Sequence, residues 1–303
     1  MNNPLRTFVF LLGLTLGLGF IQAGEARVVV GDKGSDDWAK IPVPAKPGPG
    51  MGWKLDRGLS VDFNAPNKKR ALGRGWVDRY INGWRGPGLG EFSSDHSTIE
   101  DGKLVLRAER NTSNGRVFCG VASSTRPVEY PVFVEAKLQV SGLVLSSNFW
   151  MLSDDDHQEI DVVECYGSPK DERLANRYTT NYHMFERNPD NNAIIKDHAL
   201  MAKHTLPRGQ KFHEGFHRFG AYWKDPWTIE FFLDGKKVRT LERKDIYDPA
   251  GEGFVRPMKL ILDLEDHDWR SRKGITPTDE ELADEVLNPM YVDWVRVYKP
   301  VKR

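Results

Sequence analysis

Residues 132–140 read VFVEAKLQV, and this stretch decides the fold. Apolar and polar side chains alternate along it, the period-two pattern of a strand with one buried face. The same alternation returns in residues 103–109 (KLVLRAE), 228–233 (TIEFFL) and 291–298 (YVDWVRVY). Between the third run and the next strand-like segment stands Asp234-Gly235, the dipeptide of a tight hairpin turn. Only residues 278–287 (TDEELADEVL) read as a helix, opened by a capping box of Thr278 and Glu281. Many strands, closely spaced turn signals and little helix predict an all-β jelly-roll sandwich. A curved two-sheet sandwich offers a concave face able to hold a long ligand.

Composition narrows the function. The chain has 303 residues, with 43 Lys+Arg against 43 Asp+Glu. A formal net charge of +0 argues against a nucleic-acid partner and against a polybasic membrane surface. Hydrophobic residues at 39% can fill a core. Two cysteines, Cys119 and Cys165, exclude a disulfide scaffold or a Cys-based metal cluster, and their pairing stays open. Residues 1–26 read as a secretory signal: Arg6, then TFVFLLGLTLGLGF, then small residues with Ala23 and Ala26 as cleavage positions. A secreted protein, free of the membrane once that signal is removed, is expected. Residues 41–52 (IPVPAKPGPGMG) form an extended lead-in, and residues 27–303 read as a single domain. A monomer is expected.

The chemistry lies in residues 148–167, NFWMLSDDDHQEIDVVECYG. Glu159 and Asp161 share one face of a regular strand, while Ile160 and Val162 point into the core. Glu164 falls on the wrong face, being an odd number of residues from Glu159. A β-bulge at the two valines, Val162 and Val163, would return it to the carboxylate face. Three close carboxylates are costly unless protons are shared. Glycoside hydrolysis uses such a set, with one carboxylate as nucleophile or base and one carboxylic acid as proton donor. A neighbouring acid keeps the donor protonated. Retaining enzymes hold the two carboxyls about 5–5.5 Å apart. At about 3.3 Å per residue the Cα atoms are farther apart than that, so the bulge and leaning side chains must close the gap. A calcium site that includes Asp154, Asp155 and Asp156, or a solvated acidic face, remains open on residue chemistry alone.

EIDVVE resembles the bulged signature E-x-D-x-x-E of glycoside hydrolase family 16, a family of retaining endo-glycosidases on a concanavalin-like jelly roll. DWAKIPVPAKPGPGMGWKL, GWRGPG, VEYPVFVEAKLQVS, SSNFWMLS, FHRFGAYWKDPWTIEFFLDGK, LEDHDWRS and YVDWVRVYKP are similar to segments of its β-agarase and β-porphyranase branches. The resemblance implies Glu159 as nucleophile, Glu164 as acid/base and Asp161 as helper. Cys165 departs from the Ala expected after the acid/base, and it should point into the core. The resemblance also implies Trp150 as a sugar platform, and a cleft histidine, His183 or His217. Trp84 in its Gly-rich loop, Trp269 and Glu265 are further candidates for sugar contact, since rings stack on sugars and polar groups bond hydroxyls. Core packing is the competing reading for each Trp, and it is the reading adopted for Trp223, Trp227 and Trp294. Arg187 and Arg270 are candidates for an anionic sugar, with a solvated surface role as the competing reading. Calcium on the convex face is implied through Asp293 and the Gly102 carbonyl, as a structural ion, and no cofactor is expected in catalysis. The expected substrate is agarose, cut at internal β-1,4 bonds. The alternatives are porphyran, with the same chemistry, and a non-catalytic lectin.

Overall fold

The alternating runs form strands as their period requires. The computed structural model describes residues 37–303, so the expected signal and its cleavage positions lie outside the described residues. Among those residues the chain builds two large antiparallel sheets of eight strands each and a small third sheet. In one large sheet the order is Lys236–Leu241, Thr228–Leu233, His217–Asp225, Val132–Gln139, Met290–Lys302, Lys103–Leu106 and Ser97–Glu100, with Met51–Leu55 added on Met290–Lys302. In the other it is Ile194–Ala199, Arg177–Arg187, Gln158–Cys165, Ser146–Ser153, Met258–Glu265, Val121–Ser124 and Trp76–Val77, with Ala202–Thr205 also on Arg177–Arg187. Three of the four alternating runs fall in the first sheet, and the run 103–109 is split, Lys103–Leu106 joining the first sheet and Ala108–Arg110 the small third one. This is a jelly-roll sandwich.

The inner faces meet in one core. Val134, Ala136 and Leu138 of the first sheet share it with Phe149, Met151, Ile160 and Val163 of the second. Trp223 and Trp294 are fully buried, and Trp227 packs partly buried against the core. Every residue of Ser146–Ser153 is buried, because one face joins the core and the other floors a cleft. Asp234 and Gly235 both have positive φ, 49° and 78°, between the paired Leu233 and Lys236. That is the geometry of a type I′ hairpin, which an Asp-Gly pair adopts at low cost. The expected helix at 278–287 is shorter than its pattern. The capping box forms, but the helix is Asp279–Leu282. The Asp284 carboxylate then accepts from the amides of Val286 and Leu287, which turns the chain out of the helix. Cys119 and Cys165 are buried, free thiols.

The first sheet's outer face is also covered. Phe133, Tyr222, Phe232 and Tyr298 form a second apolar cluster with Ala45, Val43 and Trp53 of the lead-in. Among the described residues no helix is long and apolar enough to cross a membrane.

Candidate active site

The strand Gln158–Cys165 carries the bulge where the paired valines predicted it. Against Arg177–Arg187, Asp161 pairs with Asn181 and Glu164 with Thr179, with a register shift between them. Against Ser146–Ser153, Trp150 faces Asp161 while Phe149 faces Val163, so Val162 is the extra residue. Ile160, Val162 and Val163 are buried in the core. Glu159, Asp161 and Glu164 accordingly all line a cleft of about 1070 Å³ on the outer face of the second sheet. Cys165 lies in the core on the opposite side, as expected.

Burial and mutual repulsion set the protonation of this trio. Burial first, and Asp161 next, push Glu159 well above the usual carboxylate range. Burial, then the Glu164 charge, raise Asp161 to about 7. Two adjacent carboxyls raised together share a proton, and the shared proton belongs to the pair. His183 lies opposite Glu159 in the register, with Nε2 3.7 Å from Glu159 and 3.5 Å from Asp161. Burial alone would lower its pKa, but Glu159, Asp197 and Asp161 outweigh that and lift it to about 10. Its Nδ1 is 2.8 Å from the Asp197 carboxylate. A protonated ring needs an acceptor at Nε2 as well, where Asn181 Nδ2 stands at 2.8 Å while the buried Asn181 Oδ1 has no partner. Reversing the Asn181 amide satisfies both groups.

A raised carboxylate pKa has a consequence for stability. The folded chain holds protons that the unfolded chain releases, so these groups destabilise the fold as pH rises from the unfolded carboxylate range towards about 7 for Asp161. Asp161→Asn removes that cost. It should raise the melting temperature at pH 8 and have little effect at pH 4, as read by calorimetry at the two pH values. An equal shift at both would show that the cost is not ionisation.

The strand Met258–Glu265 completes the floor. Asp263, fully buried, accepts from Asn148 Nδ2 at 2.9 Å and Trp150 Nε1 at 3.1 Å, which fixes the Trp150 indole. Burial and then Glu265 push Asp263 well above its usual range. Asn148 also donates to Glu265 at 3.0 Å. His267 Nε2 lies 3.1 Å from Glu265 and 4.0 Å from Glu164, out of hydrogen-bond line with both. Trp150 is 6% exposed, so it is at once a packed residue and part of the cleft lining. Tyr80 packs on it at 6.0 Å and on Phe92 at 5.0 Å, and Trp84 joins that group at 5.4 Å from Tyr80 while remaining 45% exposed. Trp269, 50% exposed, stands at the rim against Tyr166. Glu265 and His183 line the same cleft.

Several expected positions fall elsewhere. His217 lies on the first sheet, with Nδ1 bonded to Asp234 at 2.8 Å, and it does not line the cleft. A period-two strand does not reveal which sheet it joins. Arg270 is buried, its guanidinium 4.7 Å from the Tyr166 ring centre, instead of solvated. Arg187 lines the cleft but donates to the Asp156 carbonyl at 2.5 Å and the Asn192 carbonyl at 2.8 Å. The three aspartates before the strand Gln158–Cys165 diverge. Asp154 pairs with Lys259, Asp155 with Arg256 and Asp156 with the Asn82 amide. Asp293 sits at a bulge of Met290–Lys302, and Gly102 turns at φ 72° between two strands of the same sheet. The Asp293 carboxylate has the Lys137 ammonium 2.8 Å away. In the cleft, ligand atoms of Glu159, Asp161 and His183 lie within 4.8 Å of one another, but all three also serve the proton-sharing network above. Asn148, Thr179, Asp263 and His267 were not singled out from the sequence. The signal for Asp263 was a lone acid inside the apolar run LILDL.

This fold and this cleft define a glycoside hydrolase of the jelly-roll class. Residues 53–300 match the family model described as β-porphyranase A–D, GH16 domain. The chain is 44% identical over 275 residues to β-agarase AgaA of Microbulbifer thermotolerans, which covers 88% of this chain and 63% of that protein. It thus spans about three fifths of that relative's length. It is 41% identical to the extracellular agarase of Streptomyces coelicolor, with 98% of this chain and 99% of that protein covered. The solved β-agarase B of Zobellia galactanivorans superposes with a TM-score of 0.80 at 35% identity, covering 88% of this chain and 100% of that one. The chain belongs to glycoside hydrolase family 16.

Proposed function

We propose that the protein is a secreted, endo-acting β-agarase that cleaves internal β-1,4 bonds of agarose with retention. The observation that carries the reading is the bulged strand, which turns three carboxylates onto the floor of one aromatic-walled cleft. The names of the relatives support agarose as substrate. One structural neighbour, at 37% identity and a TM-score of 0.78, is β-agarase A in complex with oligoagarose.

In the first step Glu159 attacks the anomeric carbon. The C–O bond to the leaving sugar breaks, and Glu164 gives its proton to that oxygen. A glycosyl–Glu159 ester results. In the second step Glu164 takes a proton from water, whose oxygen displaces Glu159. Asp161 holds the shared proton against Glu159, which lets Glu159 leave as a carboxylate. The Thr179 hydroxyl, 3.1 Å from Glu164 Oε2, holds the acid/base in place. Trp84 and Trp269 would stack on sugar rings at the rim. Trp84→Ala and Trp269→Ala should each raise KM severalfold with kcat nearly unchanged, since stacking is shared by ground and transition states. Steady-state kinetics on soluble agaro-oligosaccharides reads this split.

The deciding experiment is reducing-sugar release from agarose, porphyran, κ-carrageenan and laminarin, with Glu159→Gln as the blank. Release mainly from agarose supports the reading. Release mainly from porphyran overturns the substrate and keeps the mechanism.

A further inference from the structure

His183 faces the Glu159 and Asp161 carboxyls, and an acid on the edge of the sheet holds its far side. The edge strand Ile194–Ala199 pairs with Arg177–Arg187, placing Asp197 opposite Phe185 and Ala199 opposite His183. Opposite residues of an antiparallel pair share a face, so Asp197 lies on the cleft face, diagonal to His183. Its two carboxylate oxygens stand 2.8 Å and 2.9 Å from His183 Nδ1. Phe185 stacks along the imidazole at 5.3 Å, with 14° between the planes. On the other face of the edge strand His198 pairs with Glu186 and packs on Tyr247 at 4.3 Å, which pins Asp197 in register. This strand adds little to the core, since five of its six residues are exposed. Its contacts with the site are Ile194 on the cleft wall and Asp197 at Nδ1.

The partner at one imidazole nitrogen decides what the other can do. Nδ1–H donates to Asp197. With the Asn181 amide reversed, Nε2–H donates to the Asn181 oxygen. A ring that donates at both nitrogens is an imidazolium. Its Nε2 stands 3.7 Å from Glu159 and 3.5 Å from Asp161, at the limit of hydrogen bonding and well within reach of Coulomb attraction. That attraction favours Glu159 as a carboxylate, the form in which it attacks and the form in which it leaves. Glu164 pairs with Thr179, two alternate positions away along the same strand, so the ring bears on the nucleophile rather than on the acid/base.

Resting on the agarase reading, we propose that Asp197 is a positioning residue of the reaction: through Nδ1 it holds the His183 ring beside the nucleophile, and turnover depends on that hold. Without the Asp197 carboxylate the ring keeps Phe185 and Asn181 but loses the acceptor that fixes Nδ1 as a donor.

Three variants separate this role from a structural one and from a sugar contact. Asp197→Ala removes the acceptor and the charge, Asp197→Asn keeps an acceptor oxygen without the charge, and Asp197→Glu keeps both on a longer stem. On soluble agaro-oligosaccharides kcat should fall about tenfold or more in Asp197→Ala and by less in Asp197→Asn, because a charge-assisted hydrogen bond is about twice as strong as a neutral one. Asp197→Glu should return kcat to within about threefold of wild type, and KM should stay within about twofold in all three. The downfield proton resonance of His183 Nδ1–H, assigned by its absence in His183→Gln, should persist in Asp197→Glu and vanish in Asp197→Ala. A kcat for Asp197→Ala within about twofold of wild type overturns the proposal, as does a resonance that survives that substitution. A raised KM with unchanged kcat also overturns it, since Asp197 would then be a sugar contact. Equal losses in all three variants with a lowered melting temperature overturn it too, since they would mark an edge strand that has come away. Failure of the agarase reading shows separately, as no product from agarose with the wild-type enzyme.

Discussion

Glu159→Gln should lower turnover on agarose by about 10³-fold or more while agaro-oligosaccharide binding survives. The substitution keeps shape and removes the nucleophilic charge, so no ester can form. It also removes one of the raised carboxylates, so the variant should melt no lower than wild type at pH 8. Loss of activity with an intact melt is therefore the expected signature of chemistry, as opposed to misfolding. Glu164→Ala should fail to a similar degree on agarose, for a different reason. It lacks the acid for a poor leaving group and the base for water. An external nucleophile that needs no deprotonation, such as azide, should restore turnover of Glu164→Ala on a substrate with an activated leaving group. It should do nothing for Glu159→Gln. Near-normal turnover of either variant, or rescue of Glu159→Gln by azide, would sink the assignment of roles.

The shared face of Glu159, Asp161 and Glu164 is legible because it rests on local pattern. A strand has period two, so an odd spacing between Glu159 and Glu164 requires an extra residue, and Val162-Val163 is where the core can absorb one. The register shows that absorption. The Asp234-Gly235 turn was legible for the same reason: its two positive φ angles are a property of two adjacent residues. What failed was non-local. His217 and His183 both sit in alternating strands, and nothing in either strand says which sheet it will join. His183 joins the cleft sheet and His217 the other. His183 and Asp197 are 14 residues apart and meet only because Ile194–Ala199 folds back on the end of Arg177–Arg187. The Thr278–Glu281 capping box marks where the helix begins but not where it ends, and the helix stops at Leu282 because the Asp284 side chain competes for the backbone amides of Val286 and Leu287.

Arg296, in the strand Met290–Lys302, makes the second-largest expected effect. Its guanidinium and the Glu135 carboxylate are fully buried, with Nε–Oε2 at 2.5 Å. It also donates to the carbonyls of Ile41 at 2.6 Å, Trp38 at 3.2 Å and Pro42 at 3.3 Å. One side chain thus fastens the lead-in over the outer face of the first sheet, where Ala45 and Trp53 cover Phe133 and Tyr298. Burial raises the pKa of Glu135 and the Arg296 charge opposes that, so removing Arg296 leaves an uncompensated acid and three orphaned carbonyls. Breaking one side of such a pair costs about 3–5 kcal/mol. At about 2–4 °C per kcal/mol for a chain of this size, Arg296→Met should melt about 6–20 °C lower than wild type. Adding Glu135→Leu should recover part of the loss, because the stranded acid goes and the two apolar side chains can pack. The carbonyls remain unpaired, so the lead-in should become sensitive to protease in both variants. A melting point within 2 °C of wild type would show that the lead-in is held by its apolar contacts alone. The cleft lies on the opposite sheet, so Arg296→Met assayed well below its melting temperature should keep its kcat. A fall in kcat under those conditions would mean that the two sheets are coupled through the core.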